Sequence, residues 1–195
     1  MPGGRESGRR GPVSAPPSTD TSLVTVIRAA AAADVPQAAI VKARGWRTSY
    51  AEAVPPDLLA VFSDPGHWLT AMKRSLGSPE EFLLVADDGT AVVGMAQGTF
   101  APEPYLASLH VVPERRNQGI GALLMAHVAR TAMDRGHDSL LLDVVATNLG
   151  AIAFYARLGA VASGEHPAVW ASGVTEVRMV VADLPSLVRL ARPIG

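Results

Sequence analysis

Two glycines stand directly before a long run of helix-forming residues, in the stretch PERRNQGIGALLMAHVARTAMDRG at residues 113–136. The first turn of a helix has backbone N–H groups without internal partners, and the helix dipole favours negative charge there. Because Gly119 and Gly121 have no side chains, a bulky anion can approach that backbone. Arg115 and Arg116 add positive charge just ahead of the turn. The pattern therefore predicts a site for a phosphate or pyrophosphate group.

Two familiar phosphate-binding motifs do not fit this stretch. A P-loop needs Lys followed by Ser or Thr after its last glycine, and Ala122 and Leu123 stand there instead. A dinucleotide-binding fingerprint needs a third glycine, and Leu124 occupies that position. Taken alone, the two glycines also fit a plain surface turn, since short glycine motifs are weak signals.

The residues around this stretch predict the elements that must position it. Apolar runs bounded by turn residues predict strands at 23–30, 103–112, 139–146, 160–165 and 175–184, and a hairpin within 81–100. Helical patterns predict helices at 34–44, 56–62, 65–76, 119–135 and 149–159, with Asp34 and Asn148 as N-caps of the first and the last. This order of strands and helices predicts an α/β or α+β layered domain around a mixed sheet.

Composition limits the class of protein. The chain has 195 residues and a formal net charge of -1, so we expect one domain and no nucleic-acid or membrane partner. The absence of cysteine excludes thiolate zinc sites, disulfides and cysteine nucleophiles, and we expect no metal. Residues 1–22, rich in Gly, Pro, Ser and Arg, are expected to be a disordered tail before a domain at 23–195. With no signal-peptide core, a cytoplasmic protein is expected.

The glycine stretch, read together with LLLDVVATNLGAIAFYARLGA, resembles the GCN5-related N-acetyltransferase (GNAT) family. The resemblance is close over residues 109–160 and looser from 24 to 184. In that family the pattern R/Q-x-x-G-x-G/A binds the pyrophosphate of coenzyme A at a helix N-terminus. The matching residues here are Arg116, Asn117, Gln118, Gly119, Ile120 and Gly121.

A second block of the same family pattern follows at the expected spacing. It consists of an Asn, then FY, then LGF, and the chain has Asn148, Phe154-Tyr155 and Leu158-Gly159-Ala160. The one departure is Ala160, where the family usually has Phe. The resemblance implies that Asn148 contacts coenzyme A as well as capping its helix.

The resemblance implies a fold and an activity. The fold is a mixed, mostly antiparallel sheet of about seven strands flanked by helices, with the fourth and fifth strands splayed apart. Pantetheine would lie in that gap, against backbone groups of Leu109 and Val111. The activity is acetyl transfer from acetyl-CoA to a primary amine of a small molecule or peptide by direct attack, in a protein that can be a homodimer. Two alternatives stay open: a non-catalytic acyl-CoA-binding module, or acetylation of protein N-termini or lysines.

Acetyl transfer to an amine needs a base for the ammonium group and benefits from an acid at the departing thiolate. Tyr155 matches the family's acid, since a phenol is neutral at pH 7 and can donate to sulfur. Many relatives have a glutamate on the fourth strand where this chain has Tyr105. Glu103, two residues earlier and so on the same face of the predicted strand, is the candidate base. His110 and Asp143 are weaker candidates for this role.

The acceptor walls in this family usually come from the first helical region and the loop before the last strand. In this chain those regions carry Trp46, Tyr50 and Trp170, and Tyr105 faces the same side. Packing alone explains Trp46 and Tyr50 equally well. The loop GEHPAVWASGVTE would favour small acceptors if it closes the groove, and peptides if it leaves the groove open. The scattered acidic residues show no strip that would identify the acceptor.

Overall fold

The computed structural model describes residues 25–191, and the predicted tail at 1–22 lies outside them. Seven strands form a mixed sheet in the order β1-β2-β3-β4-β5-β7-β6. The strands are β1 Val26–Ala29, β2 Glu81–Asp87, β3 Val92–Thr99, β4 Tyr105–Val111, β5 Leu140–Val145, β6 Val161–Pro167 and β7 Thr175–Val181. The helices are α1 Val35–Ser49, α2 Pro56–Phe62, α3 Pro65–Gly77, α4 Ile120–Asp134, α5 Leu149–Arg157 and α6 Leu184–Leu190. The predicted layered fold and its mixed, mostly antiparallel sheet are confirmed.

Apolar layers cover both faces of the sheet. On one face, Leu124 of α4 and Leu187 of α6 pack against Leu142 of β5. On the other, Val35 of α1 and Met72 of α3 pack against β2 and β3. Each such side chain contributes about 1.5–3 kcal/mol when it is fully buried, so the two layers hold the sheet between the helices. No helix within residues 25–191 is long and apolar enough to cross a bilayer.

The parallel strands β4 and β5 separate after a short paired segment. They pair only at Tyr105 with Leu141 and at Leu106 with Leu142. Directly afterwards, a register shift of β4 against β3 leaves Ala107 without a partner. Such a bulge bends and twists the strand. The predicted splaying of the fourth and fifth strands is therefore present, and it leaves the rest of β4 with an open edge.

The register of β4 determines which backbone groups face that open edge. The Val112 N–H donates to the Val93 carbonyl at 2.9 Å, across the β3–β4 ladder. Hydrogen-bonded pairs alternate along an antiparallel ladder, so the backbone groups of Leu109 and Val111 point away from β3 and into the gap. Both residues are thus available to an extended ligand lying beside β4.

Helix α1 extends to Ser49, whereas the sequence predicted an end near residue 44. The difference lies at Gly45, the first residue after the predicted end of the helix. A Cβ at Gly45 would lie 2.2 Å from Nδ1 of His110 on β4. The glycine therefore allows α1 to pack closely on the sheet, and packing outweighs its low helix propensity. The extra turn carries the predicted acceptor residue Trp46, and Tyr50 follows directly as the C-cap.

Two helix starts also differ from the prediction. Asp34 precedes α1, but its side chain makes no capping bond to that helix. The carboxylate instead accepts from Arg28 and from the Ala31 N–H, because an ion pair is available next to it. The second difference is α6, which was not predicted, since the last predicted strand ran to residue 184 and no element was predicted after it. Asp183 caps it by accepting from the Ser186 N–H at 2.8 Å.

Candidate active site

A cleft of about 1310 Å³ opens where β4 and β5 separate. Ligand pockets are typically about 300–1,000 Å³, so this one has room for two molecules side by side. We call one part the glycine end, formed by residues 116–121, the open edge of β4 and α5. We call the other part the aromatic end, formed by α1 residues 42–50, Phe62, Trp68 and side chains of β5, β7 and the β6–β7 loop.

Backbone rather than side chains lines much of the glycine end. Gly119, the N-cap of α4, has a φ of 81°, and Asn117 has a φ of 61°. Two left-handed residues this close together turn the chain sharply into the helix. At Gly121 a Cβ would lie 3.2 Å from the Phe154 ring of α5, so the glycine also permits close packing of the two helices. Asn117, Gly119, Ile120 and Gly121 all line the cleft.

The two arginines before the turn are held by protein partners. Arg115 forms an ion pair with Asp88 and donates to Gln118 at 2.9 Å. Hydrogen bonds from Thr90 and the charge of Arg115 lower the pKa of Asp88 to about 2. Arg116 donates to the Val111 carbonyl at 3.2 Å and to a hydroxyl of α1. Both guanidinium groups therefore already have protein partners. Arg115 and Arg116 line the cleft, and Gln118 does not.

Tyr155 faces the cleft from α5. Asn148 caps this helix as predicted, accepting from the Ala151 N–H at 3.1 Å. Asn148, Ala151 and Tyr155 are three and four residues apart, so they share one face at the start of α5, and all three line the cleft. Burial raises the pKa of Tyr155, so its hydroxyl is protonated at neutral pH. The hydroxyl has no hydrogen-bond partner among residues 25–191, which leaves its proton available to a ligand.

Glu103 does not have the predicted position. Strand β4 begins at Tyr105, and Glu103 is an exposed residue of the preceding bend, outside the cleft lining. The prediction assumed a strand from residue 103, but the chain turns there at Pro102 and Pro104. Tyr105 does line the cleft, where its hydroxyl donates to Asp143 at 3.1 Å.

Asp143 is held in a polar network on β5. Both of its oxygens accept from Arg178 of β7 at 3.0 Å. Nε2 of His166 lies 3.1 Å from one of these oxygens, an ion-pair distance without hydrogen-bond geometry. Burial alone would raise the pKa of Asp143, but Arg178 and His166 outweigh it and lower the pKa. A carboxylate bound on all sides is poorly suited to accept another proton.

The second weaker candidate, His110, is buried against α1. Burial and the nearby charges of Lys42 and Arg116 lower the pKa of His110 to about 3, so its imidazole is neutral at pH 7. A base with so low a pKa holds a proton too weakly to take one from an ammonium group. The close contact with Gly45 indicates a packing role instead.

Aromatic rings from four elements meet around Trp46. Its ring centroid lies 4.6 Å from that of Tyr50, 4.5 Å from Phe62 and 5.2 Å from Trp170. Trp68 stacks on it at 6.0 Å. The indole N–H of Trp46 is buried without a hydrogen-bond partner among residues 25–191. The predicted residues Trp46, Tyr50 and Trp170 therefore form one wall of the cleft.

Two charged residues of the aromatic end escaped the sequence analysis. Lys42 is 5% exposed and its Nζ lies 3.9 Å above the Trp68 ring. It donates to Gln97 at 3.1 Å, and burial lowers its pKa to about 8. Glu176 of β7 accepts from the Trp170 indole at 3.0 Å. Two patterns in the sequence could have indicated them. Lys42 and Trp46 are four residues apart on a helix and so share one face, and Glu176 and Arg178 are two residues apart on a strand and so share one face.

Comparison with known proteins agrees with this geometry. Residues 46–160 match the model of the acetyltransferase (GNAT) family. Thialysine N-epsilon-acetyltransferase of Bos taurus is 43% identical over 56 residues, which are 29% of this chain and 33% of that protein. Streptothricin acetyltransferase of Streptomyces lavendulae is 28% identical over 125 residues, 62% of this chain and 66% of that protein. The matches thus span from one third to about two thirds of these relatives.

A solved structure shows the same fold. The PaiA N-acetyltransferase of Thermoplasma acidophilum, in complex with coenzyme A, superimposes with a TM-score of 0.70 at 18% identity. The superposition covers 82% of this chain and 99% of that one. Because the family model matches more than half of the chain, the protein belongs to the GNAT acetyltransferase family.

Proposed function

We propose that this protein is an acetyl-CoA-dependent N-acetyltransferase acting on a primary amine of a small molecule by direct attack. The observation that carries the proposal is the free hydroxyl of Tyr155, which faces the gap beside the open edge of β4. A thioester extended along that edge would bring its sulfur towards α5. Membership of the GNAT family supports the same chemistry.

The glycine end is suited to the coenzyme A moiety. Backbone N–H groups of residues 117–121, at the N-terminus of α4, would bind the pyrophosphate, with Arg116 beside them. The backbone of Leu109 and the N–H of Val111 would pair with pantetheine amides as an added strand does. Because the Val111 carbonyl already accepts from Arg116, Val111 contributes its donor only. Asn148 would contact the coenzyme from the cap of α5.

In the proposed reaction the amine nitrogen attacks the thioester carbonyl carbon and forms the C–N bond. Collapse of the tetrahedral intermediate breaks the C–S bond. An acceptor in its ammonium form first loses one proton to solvent, because only the neutral amine can attack. After the C–N bond forms, the nitrogen loses a second proton to solvent, Tyr155 gives its phenolic proton to the departing thiolate, and the tyrosinate recovers a proton from solvent. No residue of the cleft is assigned as the base, since Glu103 lies outside it and Asp143 is fully engaged.

The β6–β7 loop supports a small acceptor. Ala168, Ala171 and Val174 of this loop are buried, and they pack with Tyr50 and Leu58. The centroid of the Trp170 ring also lies 5.9 Å from the centroid of the Phe62 ring. A loop packed down in this way narrows the groove, whereas a peptide acceptor needs an open one. Streptothricin and thialysine, in the names of two relatives, are consistent with this choice.

Two measurements test the proposal. Isothermal titration should show acetyl-CoA binding at about 10 μM or tighter, and no heat at these concentrations would rule the proposal out. Thiol release from acetyl-CoA should then rise above the hydrolysis background with a panel of small amines. Release with peptide N-termini or peptidyl lysines alone would favour a protein acceptor. Binding without release from any amine would favour a non-catalytic acyl-CoA-binding module.

A further inference from the structure

Glu176 is one of the residues that line the aromatic end of the cleft. It is on β7, opposite Val145 of β5, and it lines the cleft. Burial raises the pKa of the Tyr50 and Tyr105 hydroxyls, and the negative charge of Glu176 raises both further. Tyr50 at the end of α1, Tyr105 of β4 and Glu176 all line the cleft, so the carboxylate shares this end with both tyrosines.

The carboxylate of Glu176 has no cationic partner within residues 25–191. Its one side-chain hydrogen bond comes from the neutral Trp170 indole. A carboxylate oxygen of Asp143 and a ring nitrogen of His166 lie within 4.8 Å of a carboxylate oxygen of Glu176. Even so, the contacts of Arg178 and His166 are made to Asp143 rather than to Glu176. A partly buried negative charge without a cation is costly, so a positively charged ligand group would be stabilised beside it.

The walls around this charge are apolar and aromatic. Trp46, Phe62, Trp68 and Trp170 supply ring surface to the cleft. Such rings attract an organic cation through their faces and edges as well as burying its carbon atoms. Lys42 also lines this end, and its Nζ lies 3.9 Å from the centroid of the Trp68 ring.

We propose that Glu176 binds the ammonium group of the acetyl acceptor, and that the acceptor is an amine with an apolar body and no carboxylate next to its nitrogen. This inference rests on the proposed acetyltransferase function and specifies the class of its acceptor. Trp170 is a positioning residue, because its indole N–H holds one oxygen of Glu176 and leaves the other for the ligand. An α-carboxylate on the acceptor would lie beside Glu176 and be repelled.

A metal ion is the competing occupant of this corner. Asp143, His166 and Glu176 could each offer one ligand atom. However, Arg178 already donates to both oxygens of Asp143, so these oxygens are poorly placed to ligate a metal ion. Zinc and calcium titrations of the wild-type protein are therefore expected to give no specific binding, and stoichiometric binding that Glu176→Gln abolishes would favour a metal site over an ammonium site.

The direct test measures ligand binding rather than turnover. Isothermal titration of the coenzyme A-saturated protein at pH 7 compares n-hexylamine, hexan-1-ol and norleucine, which share a chain length. Hexylamine should bind with a Kd of about 10 mM or tighter, and the other two at least about tenfold more weakly. Glu176→Gln should weaken hexylamine binding by about 10- to 100-fold, since a hydrogen bond between charged groups is lost. Trp170→Phe should weaken it by about two- to fivefold.

Glu165→Gln is the matched control. It removes a strand glutamate one strand away that pairs with Val177, whose side chain packs on the opposite face of the sheet. This variant should bind hexylamine as the wild type does. Equal binding of hexylamine and hexan-1-ol, undetectable hexylamine binding, or an unchanged Kd in Glu176→Gln would each overturn the inference. Acetyl-CoA binding is measured first and tests the proposed function. Loss of the amine selectivity in a protein that binds the coenzyme would overturn only the acceptor inference, so the two failures are distinguishable.

Discussion

The glycine end and the aromatic end of the cleft are built in different ways. The glycine end uses one continuous segment, residues 109–121, together with α5, and it presents mostly backbone groups. The aromatic end gathers single side chains from α1, α2, α3, β5, β7 and the β6–β7 loop. Its members are separated by up to about 130 positions along the chain, from Lys42 to Glu176.

This difference has a physical origin. A phosphate binds to N–H groups that any residue possesses, so the local requirement is a turn with room beside it, and glycines mark that requirement in the sequence. An acceptor is recognised by particular side chains, which can come from any element that reaches the cleft. The glycine end therefore follows from a local motif, whereas the aromatic end depends on how distant elements pack.

The largest expected effect comes from placing a charge in the glycine end. Gly121→Asp puts a carboxylate where the coenzyme phosphates are proposed to lie, so acetyl-CoA affinity should fall by at least about 100-fold. Gly121→Ala adds the same Cβ, 3.2 Å from the tip of the Phe154 ring, without the charge. Titration calorimetry on both variants separates the two causes. Equal losses in both would show that packing, not charge, is responsible.

Removing the Tyr155 hydroxyl tests the boundary between the two ends. Tyr155→Phe should lower kcat by about 100-fold at pH 7, because proton donation to the thiolate is lost. The KM for acetyl-CoA should stay within about twofold, since the ring and its packing remain. Steady-state thiol release measures both constants. Full turnover in this variant would remove Tyr155 from the mechanism.

The buried Lys42 makes a prediction about stability at the aromatic end. Its pKa is about 8 in the folded protein and near 10.5 in the unfolded chain, so between these values the unfolded chain binds more protons. Stability should therefore rise with pH over this window. Relative to Lys42→Met, the wild-type free energy of unfolding should increase by roughly 2–3 kcal/mol between pH 7 and 10, measured by urea denaturation. A constant difference between the two proteins would contradict the shifted pKa.

The smallest effect concerns the contact that positions α1. Gly45→Ala would place a Cβ against His110, and we expect a loss of about 1–3 kcal/mol in the free energy of unfolding. Gly77→Ala is the control, since a Cβ at that position meets open space and alanine favours the helix. Urea denaturation of both variants checks the prediction. If Gly45→Ala has the same free energy of unfolding as the wild type, α1 accommodates the added Cβ without loss of stability and the prediction is wrong.

Particular residues show how far sequence reasoning reaches. Hydrophobic periodicity located the strands and most helices, because buried apolar residues recur with the period of each strand or helix. It misplaced the end of α1, since a glycine that permits close packing looks like one that ends a helix. It missed α6 because a short helix after a strand, with Asp183 as its cap, has too few turns for a clear period. Glu103 was misplaced because two prolines delay the start of β4.

By itself, the sequence determined the family, the layered fold and the glycine turn before α4, since these depend on local backbone requirements and on the periodic burial of apolar residues. Only the tertiary structure decided which side chains share the cleft. In the folded protein Glu103 lies outside the cleft, and Asp143, Arg115 and Arg116 are hydrogen-bonded to other protein groups. Lys42 and Glu176 line the cleft, although their positions in the sequence did not predict it. Contacts between residues that are distant in the sequence depend on how the elements pack, and the spacing of residues along the chain does not predict them.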